Sequence, residues 1–262
     1  MLRLDKKRNR TIRGAVNPII LIPARLGSTR LPGKPLADIC GVPMIVHVLR
    51  RALEADIGPV AVACAEEEIA AAVRAAGGTA VLTDPALPSG SDRIFAALRK
   101  LDPEQKHDVI INLQGDLPAI DPAFLSEVCR PILISRERFD IGTLVAPIGG
   151  AADADSFSVV KAACAFAEGE TVAAALYFSR NKIPSGEGPL WYHIGVYAYR
   201  REALARFVAL PESPLERREK LEQLRALEAG MRIGVARVAM APFGVDTPDD
   251  LAHARAILRA KN

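Results

Sequence analysis

The sequence predicts an α/β fold: an open, mostly parallel sheet flanked by helices, with extra mixed strands in its second half. Three observations lead there. In the first half, short apolar runs alternate with stretches whose apolar residues recur at helical spacing, the signature of βαβ units with right-handed crossovers. Proline and glycine punctuate them, as Pro23 and Gly77-Gly78 do. From Ile141 onward strand-like segments succeed one another through turns or short loops such as Glu168-Gly169-Glu170.

Ile19-Ile20-Leu21-Ile22, stopped by Pro23, suits a strand buried on both faces. Ile45, Val48, Leu49, Ala52 and Leu53 form one apolar stripe on a helix following Pro43. Val60 to Cys64 reads as the next strand. Ile69, Ala72, Val73 and Ala76 repeat the helical stripe, and Gly77-Gly78 ends it. A strand near Ala80 to Leu82, a helix from Ser91 to Leu101 and a strand from Val109 to Leu113 follow. In the second half Ile141 to Val145, Val159 to Phe166, Ala174 to Phe178 and Ile194 to Tyr199 read as strands. Two helices carry start signals. Ser213-Pro214-Leu215-Glu216 combines a capping serine, a proline at the first helical position and a glutamate at the third. Thr247-Pro248-Asp249-Asp250 repeats that logic.

Residues 17–262 read as a single domain without a linker or internal repeat. The basic stretch 1–16 reads as a disordered tail, or as a mitochondrial-type presequence; it lacks the apolar core of a secretory signal. A net charge of +3 over 262 residues argues against nucleic acid as partner, and leaves room for a local basic cluster facing a small anion. No apolar run approaches the roughly 20 residues that cross a bilayer. Cys40, Cys64, Cys129 and Cys164 lie far apart, with no pair at metal-ligand spacing. They read as buried free thiols in a reducing, cytoplasmic compartment.

The loop after the first strand concentrates chemistry. Between Pro23 and Pro35 it carries Arg25, Arg30 and Lys34, with Gly27, Gly33, Ser28 and Thr29 among them. Glycines let backbone N–H groups approach phosphate oxygens, guanidinium groups bind phosphate through paired bonds, and lysine adds a point charge. The spacing is not the Walker pattern. The loop reads either as a polyphosphate cradle or as a solvated basic turn, and its place after the first strand of a parallel sheet favours the cradle. Asp116 follows the Val109 to Leu113 strand, and Asp246 sits before a helix, with a strand expected to end just ahead of it. Each acid alone reads equally as a turn or helix-start charge; as a pair beside a phosphate loop they suit magnesium. Ser89-Gly90 and Gln114 offer short polar groups that suit a pyrimidine edge, although Gln114 could equally satisfy backbone groups. His193, Gly195, Tyr197 and Tyr199 alternate with Ile194, Val196 and Ala198, placing a polar-aromatic face opposite an apolar one. That pattern also fits an ordinary half-exposed strand.

Ile22-Pro23-Ala24-Arg25, Ser28-Thr29-Arg30-Leu31-Pro32-Gly33-Lys34-Pro35-Leu36, Ser89-Gly90-Ser91-Asp92-Arg93, Asn112-Leu113-Gln114-Gly115-Asp116, Tyr177-Phe178-Ser179-Arg180, His193-Ile194-Gly195-Val196-Tyr197 and Gly244-Val245-Asp246-Thr247-Pro248 run in order through nearly the whole chain. Together they closely resemble the 3-deoxy-manno-octulosonate (KDO) cytidylyltransferase family. The resemblance implies a nucleotide-diphospho-sugar transferase-like fold, CTP and a sugar acid as substrates, magnesium, and a homodimer serving lipopolysaccharide synthesis. By the same resemblance Pro23, Ala24, Arg25, Ser28, Arg30, Lys34, Ser89, Gly90, Arg93 and Gln114 contact the nucleotide. Asp116 and Asp246 hold the metal, and Arg25, Arg30, Lys34 and Asp116 are catalytic. Gln114, Arg180, His193, Tyr197, Glu222 and Gln223 contact the sugar. Two departures stand out. Leu117 occupies a position where relatives usually carry glutamate, which leaves either weaker metal affinity or another acid in its place. The Asn181 to Tyr192 loop is shorter than in relatives, with Lys182 as a candidate replacement for the missing charged residues. The rival readings are an acylneuraminate-type cytidylyltransferase, a glycosyltransferase using a preformed nucleotide sugar, and a CTP-binding regulatory protein without turnover.

Overall fold

The computed structural model describes residues 16–134 and 139–259. The expected basic tail lies, apart from Val16, outside the described residues. The chain groups into two compact units, Met1–Ser126 with Pro242–Asn262, and Glu127–Ala241.

In the first unit, β1 (Pro18–Ala24), β4 (Val60–Cys64), β5 (Thr79–Leu82) and β6 (Val109–Asn112) form a parallel sheet. Their order is β5-β4-β1-β6, so the chain builds outward from β1 on one side and then on the other. All of β4 and β6 and nearly all of β1 are buried, as expected when helices cover both faces. α1 (Met44–Glu54) buries Ile45, Val48, Leu49 and Ala52 as its stripe predicts, but Leu53 is 51 % exposed and Met44 and Val46 are buried in its stead. α2 (Glu67–Ala75) ends where expected: Gly77 takes φ +77 and the Gly78 N–H donates to the Val73 carbonyl at 2.9 Å. α3 (Gly90–Leu101) is capped by Ser89, whose hydroxyl accepts from the Asp92 N–H, and the short α4 (Ala123–Glu127) comes after β6. A tight hairpin, β2 (Asp38–Ile39) to β3 (Val42–Pro43), turns through Cys40 and Gly41, both at positive φ. The chain returns to this unit through α10 (Pro248–Arg259), where Leu251 and Ala254 pack with Ile39, Met44 and Val245.

In the second unit, β7 (Ile141–Pro147) pairs antiparallel with β11 (Trp191–Arg200) and parallel with β12 (Ile233–Arg237). β12 pairs with β9 (Val172–Ala174), and β8 (Lys161–Ala163) with β10 (Tyr177–Ser179), both antiparallel. The mixed pairing agrees with the sequence. The expected continuous strand from Ala174 to Phe178 is instead two strands. Between them the Ala175 N–H bonds Ile233 and the Leu176 N–H bonds Ala163, so the chain changes partner and must break. The short α6 (Ala151–Asp155) follows β7, and α7 (Arg201–Ala209), α8 (Pro214–Glu219) and α9 (Leu224–Glu228) form the run of helices after β11.

Gly142 and Gly234 sit opposite each other on β7 and β12. A Cβ on Gly142 would lie 2.3 Å from the Val128 carbonyl oxygen, and one on Gly234 would lie 2.6 Å from Pro131. The two glycines let α5 (Arg130–Ile134) and the chain just before it press on the sheet. Gly142→Ala should therefore destabilise by about 2 kcal/mol, in the range of overpacked cores; a urea unfolding midpoint unchanged from wild type would contradict this packing.

Candidate active site

Strand order in the first unit reverses between β1 and β6. At such a switch point the loops leaving the two carboxyl ends splay apart and leave a crevice. The loop after β1 is held in shape by its own bonds. The Leu26 N–H donates to Glu66 Oε2 at 3.1 Å, the Ser28 N–H to the Leu26 carbonyl at 2.7 Å, and the Leu31 N–H to Ser28 Oγ at 3.3 Å. Gly33, at φ +65, then turns the chain into a short 3-10 helix, Lys34–Leu36, stiffened by Pro35.

That turn delivers Lys34 to both acids. Its Nζ lies 2.9 Å from Asp116 Oδ2 and 2.9 Å from Asp246 Oδ1. Arg30 reaches Asp246 Oδ2 at 3.1 Å from a largely exposed position. Burial acts to lower the Lys34 ammonium pKa, but the Asp116 and Asp246 carboxylates, by charge and hydrogen bond, hold it above its ordinary value. The acids, far apart in sequence, are joined by one backbone bond, from the Val245 N–H to the Asp116 carbonyl at 2.9 Å. The strand expected to end just before Asp246 does not; β12 stops at Arg237, and 238–247 is irregular chain. Position comes instead from Val245, fully buried against Ile39 and Met44, and from Asp250, whose Oδ2 accepts from the Asp246 and Thr247 N–H groups.

Two carboxylate oxygens converging on one point charge suit a hard dication completed by phosphate oxygens and water. Among the described residues no group of three or more His, Cys, Asp or Glu forms a metal cage. Leu117 is buried, and Asp250, the nearby acid, is committed to the α10 start.

Gly90, Pro23 and Gln114 come together: a Cβ on Gly90 would lie 3.3 Å from Pro23 Cγ and 4.0 Å from Gln114 Oε1. Gly115 likewise sits against the Pro23 carbonyl, at 3.0 Å from its would-be Cβ. The glycines thus keep backbone groups open beside a side-chain amide. Ser89 is engaged as the α3 cap. Arg93 is buried, its Nη1 donating to Thr83 Oγ1 at 2.6 Å and to the Asp84 carbonyl at 3.2 Å, while Nη2 has no hydrogen-bond partner among the described residues. Ala24 is buried and Arg25 exposed at the mouth of the loop.

In the second unit His193, Tyr197 and Tyr199 do share a face, their rings following one another at 5.6 and 5.9 Å. The face is not the half-exposed one an ordinary strand would show. His193 is 6 % and Tyr199 2 % exposed, because Phe178 and Phe207 stack against them. A bulge at Gly195-Val196 is closed by Thr143, whose hydroxyl lies 3.1 Å from His193 Nε2 and 2.8 Å from the Val196 carbonyl. A hydroxyl donating to that carbonyl must accept from Nε2–H, which sets the tautomer and leaves Nδ1 as acceptor. Burial pushes the His193 pKa down from 6.5 to about 3. With the folded value below the unfolded one, stability is lost as pH falls from 6.5 toward about 3. Histidine NMR should show the His193 ring neutral from about pH 5 to pH 8; a midpoint near 6.5 would contradict its burial.

Burial, with smaller charge effects from Tyr199 and Glu222, holds the Tyr197 phenol well above its ordinary value. Gln223 is buried, and its Nε2 has no hydrogen-bond partner among the described residues. Arg180 donates through Nε to the Glu219 carbonyl at 3.0 Å and through Nη1 to the Phe157 carbonyl at 3.0 Å. Asn181 and Lys182 are exposed at the start of the short loop. Residue-level reading of the sequence missed Thr143, Glu66 and Lys161. Lys161 is fully buried, donating to the Ser156 and Arg180 carbonyls at 2.6 and 2.9 Å. A lone lysine in the apolar run Val159 to Phe166 was the available signal.

The family model described as cytidylyltransferase matches residues 19–233. A 3-deoxy-manno-octulosonate cytidylyltransferase of Parvibaculum lavamentivorans is 61 % identical over 248 residues, covering 95 % of each chain. That of Rhodospirillum centenum is 61 % identical over 92 % of this chain and 93 % of its own. Among solved structures, a CMP:2-keto-3-deoxy-manno-octonic acid synthetase complexed with CTP superposes with TM-score 0.85 at 40 % identity, over 94 % of this chain and 100 % of its own. A cytidylyltransferase from Leptospira borgpetersenii, at 16 % identity, shares the fold with TM-score 0.56 over 94 % of this chain and 95 % of its own.

Proposed function

The chain belongs to the cytidylyltransferase family, among its 3-deoxy-manno-octulosonate members, and from that membership we propose that it joins CTP to KDO, forming CMP-KDO and pyrophosphate for lipopolysaccharide synthesis. The observation that carries the reading is the meeting of Lys34, Asp116, Asp246 and Arg30 at the switch point of a parallel sheet.

In this reading the anomeric hydroxyl of KDO attacks the α-phosphorus in line; the new P–O bond forms as the bond to pyrophosphate breaks. Magnesium, when bound, supplies charge neutralisation for the triphosphate and the departing pyrophosphate. Asp116 and Asp246 are the residues that would hold it. Arg25, Arg30 and Lys34 bind the phosphates and offset the charge growing on the leaving group. Pro23, Gly90 and Gln114 frame the cytosine. His193, Tyr197, Glu222 and Gln223 are assigned to the sugar acid; as a neutral ring, His193 serves as a hydrogen-bond partner and not as a cation for the carboxylate. Arg180, tied to carbonyls, acts mainly by fixing the chain beside Glu219. No covalent intermediate is needed, since positioning and electrostatics suffice.

A cytoplasmic location, where CTP is available, belongs to the same reading. No helix among the described residues is long and apolar enough to cross a membrane. The homodimer implied by the family belongs to the same reading, and sedimentation equilibrium checks it. Pyrophosphate release with CTP, magnesium and a panel of sugar acids tests the function. KDO should support turnover and acylneuraminates should not; preference for an acylneuraminate, or CTP binding with no product from any acid, would overturn the choice of acceptor or of enzyme.

A further inference from the structure

We propose that Lys34 is the resident counter-ion of the Asp116–Asp246 pair and must leave it before a divalent cation can enter, so that nucleotide and metal binding are coupled through this one side chain. The inference rests on the CTP–magnesium reading of the site.

Lys34 Nζ sits 2.9 Å from one oxygen of each acid, with its side chain 16 % exposed. A dication using the same two oxygens would have to occupy nearly the same point, and two cations cannot share it at such separations. Only one can be resident. The exchange asks nothing of the backbone. The Lys34 N–H bonds the Leu31 carbonyl and the Lys34 carbonyl accepts from Ala37, while Gly33 and Pro35 fix the turn on either side. The Asp116 carbonyl is likewise held by Val245. What can move is the lysine stem, a flexible arm carrying a compact charge and three donors. Arg30, on the outer oxygen of Asp246 and 63 % exposed, can swing with it. A triphosphate gives both cations new anionic partners, and as they turn to it the two carboxylates lose their counter-charge and take the metal. The metal alone faces carboxylates that are already neutralised. By linkage, nucleotide must raise metal affinity by the factor by which metal raises nucleotide affinity.

The test is a Mn²⁺ titration of the nucleotide-free protein, followed by the EPR signal of the free ion. Wild type should bind Mn²⁺ weakly, Lys34→Met at least about tenfold more tightly, and Lys34→Arg, which keeps the charge, as weakly as wild type. With α,β-methylene-CTP present, Mn²⁺ affinity should rise in wild type and rise by a smaller factor in Lys34→Met. Affinity in nucleotide-free Lys34→Met that is equal to or below wild type overturns the proposal. If that variant folds poorly without metal, its gain in Tm on adding Mn²⁺ reads the same quantity. A gain no larger than that of wild type is again contrary. Failure of wild type to form CMP-KDO would overturn the substrate reading separately, since the Mn²⁺ comparison uses neither sugar nor turnover.

Discussion

Asp116→Asn and Asp246→Asn should each lower turnover by about 10²–10³-fold or more while leaving the fold in place. The amide keeps the shape of the carboxylate and its capacity to accept from Lys34, but removes the charge that a dication needs. Both side chains are partly exposed, at 31 % and 45 %, so loss of one ion pair with Lys34 costs little stability. The backbone supports, Val245 on Asp116 and Asp250 on Asp246, are untouched by the change. The checks are pyrophosphate release at saturating CTP and a thermal melt on the same samples. Wild-type-like turnover in either variant would remove that acid from the metal site. A collapse of Tm would mean that the acid is chiefly structural.

Arg225→Met should destabilise the second unit by about 3–5 kcal/mol, the usual result of leaving one member of a buried ion pair alone. Glu216 serves two structures at once. Its carboxylate closes the capping box with the Ser213 N–H at the start of α8, and it takes both Nε and Nη2 of Arg225, at 2.8 and 2.6 Å. Both side chains are nearly buried, at 12 % and 9 %. Methionine preserves much of the stem and removes the charge, so Glu216 keeps its desolvation cost without its partner. Arg225 lies on α9, directly after Glu222 and Gln223, and so a rise in KM for the sugar acid should accompany the lost stability. Chemical denaturation measures the first and initial rates the second; an unfolding free energy within about 0.5 kcal/mol of wild type would contradict the pair's importance.

The parallel half of the fold was legible because its strands are short, apolar and sharply punctuated. Val60 to Cys64 is a strand over its full predicted range, and Gly77-Gly78 closes α2 as expected. The basic loop and Asp116 were placed by the same logic, since a residue after a buried parallel strand has little choice of direction. Asp246 was found for a reason only partly right: the helix start at Thr247-Pro248 is real, but no strand leads into it. The chain there is set by the burial of Val245, a long-range contact that local periodicity does not encode. The second half was harder. The break at Ala175-Leu176 exists because two neighbouring strands claim the chain, and nothing within those residues announces it. α7 was missed although Ala203, Leu204 and Phe207 mark a buried stripe. His193 and Tyr197 were rightly set on one face, whereas the burial of His193 and of the neighbouring Tyr199 depends on Phe178 and Phe207 from other elements. Thr143 reads in sequence as one more strand residue; its bond to His193 arises from a bulge on the neighbouring strand.

The choice of nucleotide and acceptor came from whole-chain resemblance, and the family comparisons bear it out at the level of the family. The most direct test of the account is a ³¹P NMR time course of the purified protein with CTP, KDO and magnesium. The three triphosphate resonances should decay together while a phosphodiester signal grows alongside a pyrophosphate signal of about twice its integral, one diester and one two-phosphorus pyrophosphate forming per CTP consumed. Unchanged triphosphate, or inorganic phosphate in place of the phosphodiester, would contradict it.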